Sequence, residues 1–248
     1  MITVGRIVIK MDNIINFFSN TFNADPKAVS DYFDMLSAML SGSITTLSIF
    51  FFTLIFSIPL ALIVAFGRMS KAKVLSKITN VFLLIIRGTP LMLQLLIVYF
   101  VPKLIAVKCF KTTIGWSSYI AAIVAFSINY AAYFAEIYRG GIESIPRGQY
   151  EAAKVLGYTP SQTFFKIVLP QVIKRIIPAM GNEVITLVKD TSLVTILSVQ
   201  ELMYYAKSSS NRMVSFTPLL IAGIFYFVMN WLVSFVFTKT EKKLAYYH

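Results

Sequence analysis

The sequence predicts an all-α integral membrane protein with about five transmembrane helices. The chain of 248 residues is 57% hydrophobic and only 14% charged, with a mean hydropathy of +0.72, which is too apolar for an ordinary soluble domain. Its apolar residues are gathered in runs of about 20, the length that a helix needs to cross the ~30 Å hydrocarbon layer. Most lysines and arginines lie between or beside these runs, as they do in membrane proteins that follow the positive-inside rule.

Each predicted span has its own sequence signature. The first opens after a Ser-Gly-Ser stretch and ends before a Gly-Arg pair. The second is an imperfect apolar run in which Gly88, Thr89 and Pro90 either break the helix or only kink it. The third is rich in small residues that suit close helix packing in lipid, the fourth carries charged residues, and the fifth begins with a proline that a first helical turn tolerates. The five spans are 42–66, 79–101, 118–138, 177–200 and 218–238.

The lysines and arginines also predict the orientation. Thirteen lie in the 67–78 loop, the 139–176 segment and the C-terminal tail, and eight lie in the regions that five spans would place on the opposite side. The side with thirteen is expected to be cytoplasmic. In this multi-pass arrangement in the cell membrane the N-terminus is outside and the C-terminus inside. The long segment between the third and fourth spans is then a cytoplasmic loop.

This loop, over about residues 140–176, is predicted to form two short helices joined at a glycine. Gly157 suits the end of the first helix, where a positive φ is often required. Thr159 and Gln162 have the spacing of a capping box for the second helix, and Pro170 is expected to end it. A loop with such well-defined ends is typical of an element that meets a partner, although an interfacial hairpin without a partner remains the alternative.

The same loop carries a recognisable motif. Glu151-Ala152-Ala153, a glycine four residues later and a terminal Leu169-Pro170 resemble the EAA motif of ABC importer permeases in every fixed position. Stretches over 87–95, 128–153 and 187–194 resemble the polar amino acid subfamily, which includes histidine, glutamine and arginine permeases.

The resemblance covers roughly residues 37–240 and implies an ABC permease transmembrane domain over that range. Residues 1–36 are interpreted as an extracellular or interfacial extension and 241–248 as a cytoplasmic tail. In this family the EAA loop is a coupling helix that sits in a cleft of an ATPase subunit. Four motif residues would form the docking surface and its hinge, and the last two would fix the exit toward the fourth span. The ATPase-coupling residues implied in this way are Glu151, Ala152, Ala153, Gly157, Leu169 and Pro170.

Polar and ionisable side chains inside the spans are costly and are functional candidates by default. Asn129, Tyr133 and Glu136 fall on one face of the third span, and Asn182, Thr186 and Lys189 repeat that spacing on the fourth. We predict a polar pathway that accepts a zwitterion, and the alternative is structural pairing between helices. For Glu136 the structural interpretation is favoured because Arg139 lies three residues further on, and for Lys189 and Asp190 both interpretations stay open. The candidate substrate-pathway residues are Arg87, Thr89, Gln94, Asn129, Tyr133, Glu136, Asn182, Glu183, Lys189 and Asp190.

Together these features predict the permease subunit of an ATP-driven ABC importer that moves a polar amino acid into the cell. The chain is not expected to be an enzyme or to bind a cofactor itself. It contains no G-x-x-x-x-G-K-[ST] phosphate loop, so ATP and Mg are expected on a partner, a cytoplasmic ABC ATPase dimer. Because five spans are few to enclose a hydrophilic path, a second permease subunit, identical or related, is expected as well. The resemblance also implies an extracellular solute-binding protein, whereas no nucleic acid partner is expected despite the net charge of +12.

Three other classes fit the sequence less well. An ion-coupled secondary transporter would typically show inverted repeats, and it leaves the EAA loop unexplained. A membrane-embedded enzyme would want a His, Cys or paired-carboxylate constellation, but the chain has one cysteine, Cys109, and one histidine, His248. A scaffolding protein would leave the charges inside the spans without a purpose.

Overall fold

The computed structural model describes residues 15–16, 19–21, 25–113 and 115–244, and within these residues the chain is helical without any strand. Much of the predicted extension over 1–36 and part of the predicted tail lie outside them. The described α-helices are α1 (Pro26–Arg68), α2 (Lys73–Gly88), α3 (Leu91–Phe110), α4 (Ser118–Glu143), α5 (Arg147–Val155), α6 (Pro160–Gln162), α7 (Leu169–Asp190), α8 (Leu202–Met213) and α9 (Thr217–Leu244). A π-helical segment, Thr163–Val168, joins α6 to α7, and a 3-10 helix, Thr191–Leu197, follows α7.

Four of the described helices, α1, α3, α4 and α9, are long and apolar enough to cross a membrane. The helix in the predicted fourth span, α7, is not among them, since it contains Lys174, Arg175 and Glu183 in addition to two charged residues at its end. The all-helical membrane fold is confirmed. The total of five spans stays a prediction, because α7 in the predicted fourth span is not among these four helices.

The second predicted span, 79–101, is not a single helix. α2 ends at Gly88 and α3 begins at Leu91, with Thr89 and Pro90 in extended conformations between them. Proline has no N–H to donate and disfavours a helical conformation at the residue before it. Of the two alternatives, a kink and a break, the structure has the break.

The first helix is much longer than the predicted 42–66. It begins at Pro26, where Asp25 caps it by accepting a hydrogen bond from the Lys27 N–H at 2.9 Å. At 1.5 Å per residue, 43 residues extend for about 64 Å, so α1 is about twice as long as the bilayer core is thick. The predicted span covers only the second half of the helix because that half is an apolar run, whereas the first half contains charged residues.

α4 lies at the centre of the molecule and packs mainly against α1. Its buried face is rich in alanine, as predicted for close packing in lipid, and Phe126, Tyr130 and Phe134 on it are fully or almost fully buried. α8 packs on α1 and α9, while α7 packs on α4 and α9. This arrangement brings polar side chains of α2, α3 and α7 to the same central helix.

Candidate functional site

The segment between α4 and α7 folds as a compact helical unit around Gly157. This glycine has a φ of +76°, a left-handed conformation that glycine adopts without strain. Its N–H donates to the Lys154 carbonyl at 3.1 Å, and the Tyr158 N–H donates to the Ala153 carbonyl at 3.0 Å. These two bonds close the end of α5. The predicted glycine stop is therefore present.

The predicted capping box starts the second helix of the loop. The Thr159 Oγ1 accepts a hydrogen bond from the Gln162 N–H at 3.3 Å, and the Gln162 Oε1 accepts one from the Thr159 N–H at 3.0 Å. Each residue thus satisfies a backbone donor that has no partner inside the helix. The two helices and the turn between them are set by local backbone chemistry.

The prediction that Pro170 ends the second helix is wrong. Pro170 is the second residue of α7, which continues from α6 through the π-helical segment. At the junction the Leu169 N–H donates to the Phe164 carbonyl, five residues back. A proline in a regular α-helix would clash with the carbonyl four residues before it, and the wider π turn moves the preceding carbonyls out of that register. The loop therefore enters α7 without an interruption.

A small apolar core holds the loop against the end of α4. It consists of the buried Ile145, Val168 and Val172, with partly buried neighbours. Arg175 adds a polar contact, since its guanidinium donates to the Ser144 carbonyl. The loop has its own packing and is not a tether.

Several large apolar side chains of the loop are nevertheless exposed. Val155 is 88% exposed, Leu156 73% and Phe165 63%. Glu151 and Ala152 are exposed as well, whereas Ala153 is only 1% exposed and packs inward. Of the three residues that name the motif, the first two are thus available to a partner and the third supports the loop from inside.

The side chain of Gln94 on α3 bridges the break between α2 and α3. Its Nε2 lies 2.7 Å from the Ile86 carbonyl oxygen, 3.2 Å from the Thr89 carbonyl oxygen and 2.8 Å from the Thr89 Oγ1. These contacts satisfy carbonyl groups that the end of a helix leaves without partners. The Gln94 Oε1 accepts a hydrogen bond from the Asn129 Nδ2 at 2.9 Å, which fixes the break to α4.

Three arginines surround Glu136 of α4. Arg139 donates from Nε and Nη2 to the two carboxylate oxygens at 3.2 and 2.9 Å. The Arg87 Nη1 lies 3.6 Å from one oxygen and the Arg68 Nε lies 3.9 Å from the other, which are close ionic distances but too long for hydrogen bonds. Arg87 also lies over the ring of Tyr133, 5.4 Å from its centroid, as in a cation–π contact.

The candidates on α7 have fewer contacts. Asp190 accepts a hydrogen bond from the Tyr130 hydroxyl of α4 at 2.7 Å. Glu183 is half-buried, and Asn182 and Lys189 are exposed. Among the described residues, no ion pair involves the side chain of Glu183 or Lys189.

The polar groups form one continuous arrangement along α4. The rings of Tyr130 and Tyr133 have their centroids 6.4 Å apart. Contacts therefore run from Asp190 through these two tyrosines to Arg87 and Glu136. The structure brings most of the predicted pathway residues together. Glu183 is within electrostatic range of both Asp190 and Arg87.

One buried carboxylate, Glu201, is not among the predicted site residues, and it is 0% exposed. It caps the start of α8 by accepting hydrogen bonds from the Met203 and Tyr204 N–H groups at 2.9 and 2.8 Å. It also accepts hydrogen bonds from the hydroxyls of three residues on other elements. Those donors are Thr195 at 2.7 Å, Tyr226 at 2.9 Å and Thr46 at 3.3 Å.

The surroundings of Glu201 are tightly packed. A Cβ added to Gly42 of α1 would lie 2.8 Å from the Glu201 carbonyl carbon and 2.7 Å from the Tyr205 ring, so only glycine permits this approach. The carboxylate joins α1, the 3-10 helix, α8 and α9. The one signal in the sequence was a single acidic residue immediately before a Leu-Met-Tyr-Tyr stretch at the start of a helix.

A family of known membrane transport proteins matches most of the chain. The family described as "Binding-protein-dependent transport system inner membrane component" matches residues 57–246, which include the loop, the polar arrangement on α4 and Glu201. The chain belongs to this family. It is accordingly an integral membrane transport subunit, and the resemblance to ABC permeases is confirmed.

Individual relatives of this permease match more than four fifths of its length. It is 36% identical over 208 residues to the arginine transport system permease protein ArtQ of Bacillus subtilis, covering 83% of this chain and 92% of that one. It is 36% identical over 214 residues to the L-cystine transport system permease protein TcyB of the same organism, covering 84% and 88%. A chain in the crystal structure of an amino acid ABC transporter with histidines is 31% identical and superposes with a TM-score of 0.76, covering 89% of this permease and 99% of that chain.

Proposed function

We propose that this permease is the transmembrane subunit of an ATP-driven importer of a polar amino acid, and that a separate ATPase drives it through the loop around Gly157. The observation that carries the proposal is the loop itself. It has its own core and capped helices, and it exposes Val155, Leu156 and Phe165. Exposed apolar side chains on a rigid support are typical of a protein interface.

The permease works as part of an assembly. Two permease subunits, identical or related, enclose the pathway, a cytoplasmic ATPase dimer with ATP and Mg sits on the loops, and an extracellular binding protein delivers the substrate. The N-terminus lies outside and the C-terminus inside, as the distribution of lysine and arginine indicates. The two relatives named as arginine and L-cystine permeases favour an amino acid as the substrate.

Within the membrane, the substrate contacts the charged side chains of α7. Lys189 has a cationic group for a carboxylate, and Glu183 and Asp190 have anionic groups for an ammonium. The side chains of Gln94 and Glu136 have hydrogen-bond partners within the protein, and they hold the wall of the pathway in place. Glu151 and Ala152 contact the ATPase, Gly157 sets the angle of the loop, and Leu169 and Pro170 transmit its movement to α7.

The transport mechanism is tested by reconstitution. The permease is co-purified with its ATPase from the native host and inserted into vesicles with the binding protein. Uptake of a radiolabelled amino acid is expected to require ATP and to survive the collapse of ion gradients. Uptake that follows an ion gradient without ATPase would identify a secondary transporter and overturn the proposal.

The substrate contact is tested by comparing Asp190→Asn with Tyr130→Phe. Both substitutions remove or weaken the same 2.7 Å hydrogen bond, but only the first removes the negative charge. If Asp190 serves the substrate, Asp190→Asn and Lys189→Met abolish uptake while basal ATP hydrolysis continues, and Tyr130→Phe retains most of the uptake. Equal losses in Asp190→Asn and Tyr130→Phe, or a failure of both to accumulate in the membrane, would show a structural role.

A further inference from the structure

A cationic cavity lies between the end of α1, the second half of α2 and α4. Its volume is about 420 Å³, and Arg68, Asn80, Leu84, Arg87, Tyr133 and Glu136 are among the residues that line it. It is lined mainly by polar groups, unlike the apolar cavities elsewhere on the described helices.

The lining has more cationic than anionic groups, since Arg68 and Arg87 stand beside the single carboxylate of Glu136. Arg139 donates one hydrogen bond to each oxygen of that carboxylate, and Glu183, outside the lining, is within electrostatic range of Arg87. Arg68 and Arg87 remain at 3.9 and 3.6 Å without a hydrogen bond to Glu136. The Arg68 Nε is buried and has no hydrogen-bond partner among the described residues, which is costly for a charged group.

Two guanidinium groups with free donors beside one cavity are suited to an oxyanion. The planar fork of arginine binds phosphate or carboxylate through two parallel hydrogen bonds, and the exposed Asn80 could add another donor. We propose that this cavity binds the phosphate group of an anionic phospholipid. The proposal rests on the membrane location of the permease and on its proposed orientation, and not on the ATP-driven transport proposed above.

The surroundings of the cavity favour a lipid over a soluble anion. Leu84 in its wall is 73% exposed, and its neighbours Val81 and Ile85 on α2 are exposed as well. An apolar cavity of about 650 Å³ lies between the same two helices, α1 and α2, and is lined by Gly67 and Phe82 among others. A headgroup held by the arginines would thus have apolar surface for its acyl chains on either side.

The position along the chain is also typical of headgroup binding. α1 ends at Arg68, where its apolar run ends, and Lys71, Lys73 and Lys77 follow within the next turn and α2. Basic pockets between membrane helices on the cytoplasmic side bind anionic headgroups. An Arg87 that binds lipid does not bind the substrate. The substrate path then runs along the polar side chains of α7.

The test measures lipid binding by the full-length chain after delipidation in detergent. Native mass spectrometry determines the apparent affinity for dioctanoyl phosphatidylglycerol, with dioctanoyl phosphatidylcholine as a zwitterionic lipid of the same chain length and inorganic phosphate as a free anion. The wild-type chain is expected to bind phosphatidylglycerol most tightly. Arg68→Gln together with Arg87→Gln should weaken this binding by about tenfold or more, since it removes charged hydrogen bonds.

The matched control is Lys71→Gln together with Lys73→Gln, which removes the same charge from nearby exposed residues and should bind like wild type. Arg87→Gln alone, on a side chain that is 43% exposed, repeats the test with little risk to folding, and size-exclusion chromatography checks each variant. Equal losses in the arginine and lysine variants, or no loss in either, would overturn the site. Equally tight binding of inorganic phosphate, or displacement of phosphatidylglycerol by free amino acids, would overturn the assignment to a lipid.

Discussion

Substitutions of Glu201 should destabilise the protein in a graded order that follows its hydrogen bonds. One oxygen, Oε1, accepts from the Thr195 hydroxyl and the Tyr204 N–H, and the other, Oε2, accepts from the Met203 N–H and the hydroxyls of Tyr226 and Thr46. In Glu201→Gln, an NH2 group replaces one of these oxygens. The smaller loss occurs when it replaces Oε1, because a hydroxyl can rotate to accept but a peptide N–H cannot.

The magnitude follows from the number of peptide donors left without a partner. Glu201→Gln leaves the Tyr204 N–H unpaired, which costs about 1–3 kcal/mol for a buried group. Glu201→Ala leaves both peptide donors unpaired and removes the cap of α8, so the cost rises to about 2–6 kcal/mol. Tyr226→Phe removes a single donor from a carboxylate that keeps its others, and it should cost only about 0.5–1.5 kcal/mol.

Thermal unfolding of the purified chain in one detergent, followed by intrinsic fluorescence, measures this order. In soluble chains of 150–250 residues each kcal/mol corresponds to about 2–4 °C, so the shift should increase from Tyr226→Phe through Glu201→Gln to Glu201→Ala. Glu151→Gln, at an exposed glutamate, is the control and should unfold at the wild-type temperature. Equal shifts for Glu201→Gln and Glu201→Ala, or no shift in either, would refute the assignment of the peptide donors as the main cost.

Gly157→Val should reach the membrane at normal levels but lose uptake, because a β-branched residue at a φ of +76° is strained by about 1–3 kcal/mol. Asparagine tolerates this conformation better, so Gly157→Asn should retain uptake. Wild-type uptake and normal ATPase co-purification in Gly157→Val would mean that the loop does not couple the permease to the ATPase. Gln94→Met should lower the free energy of unfolding by about 1–3 kcal/mol, because the carbonyls at the end of α2 lose their donor. An unchanged unfolding temperature would contradict that role. A reporter that is active only outside the cytoplasm should work when fused after residue 112 and fail when fused after residue 70 or at the C-terminus, and the opposite pattern would reverse the proposed orientation.

Features of the loop that depend on adjacent residues were predictable from the sequence. The φ of Gly157 and the capping box of Thr159 and Gln162 arise from hydrogen bonds that span three to five residues. Pro170 was misread because the rule that proline ends a helix assumes α-helical register. In the π-helical segment before it, Val168 belongs to a buried cluster with Ile145 and Val172, and Phe164 packs against this cluster. Local sequence does not reveal these contacts.

The candidate site was predictable only in part, for the same reason. Helical spacing placed Asn129, Tyr133 and Glu136 on one face of α4. It could not show that the Asn129 amide would donate a hydrogen bond to Gln94. Glu201 was overlooked because the predicted fourth span stopped one residue earlier. Its partner Thr46 is 155 positions away in the chain, and only the assembled helices bring the two together.

The π-helical turn makes the loop sensitive to residue count. Each residue of an α-helix adds about 100° of rotation, and a π turn accommodates one residue more than the α-helical repeat. Deleting a single residue between Thr163 and Val168 would therefore leave the helical content almost unchanged while rotating everything before it by about 100° relative to α7. Phe165 and the whole preceding hairpin would then point in a different direction, and Pro170 would meet a carbonyl in α-helical register. The orientation of the loop relative to α7 thus depends on the number of residues as well as on their identity. In engineering this segment, point substitutions are therefore safer than insertions or deletions.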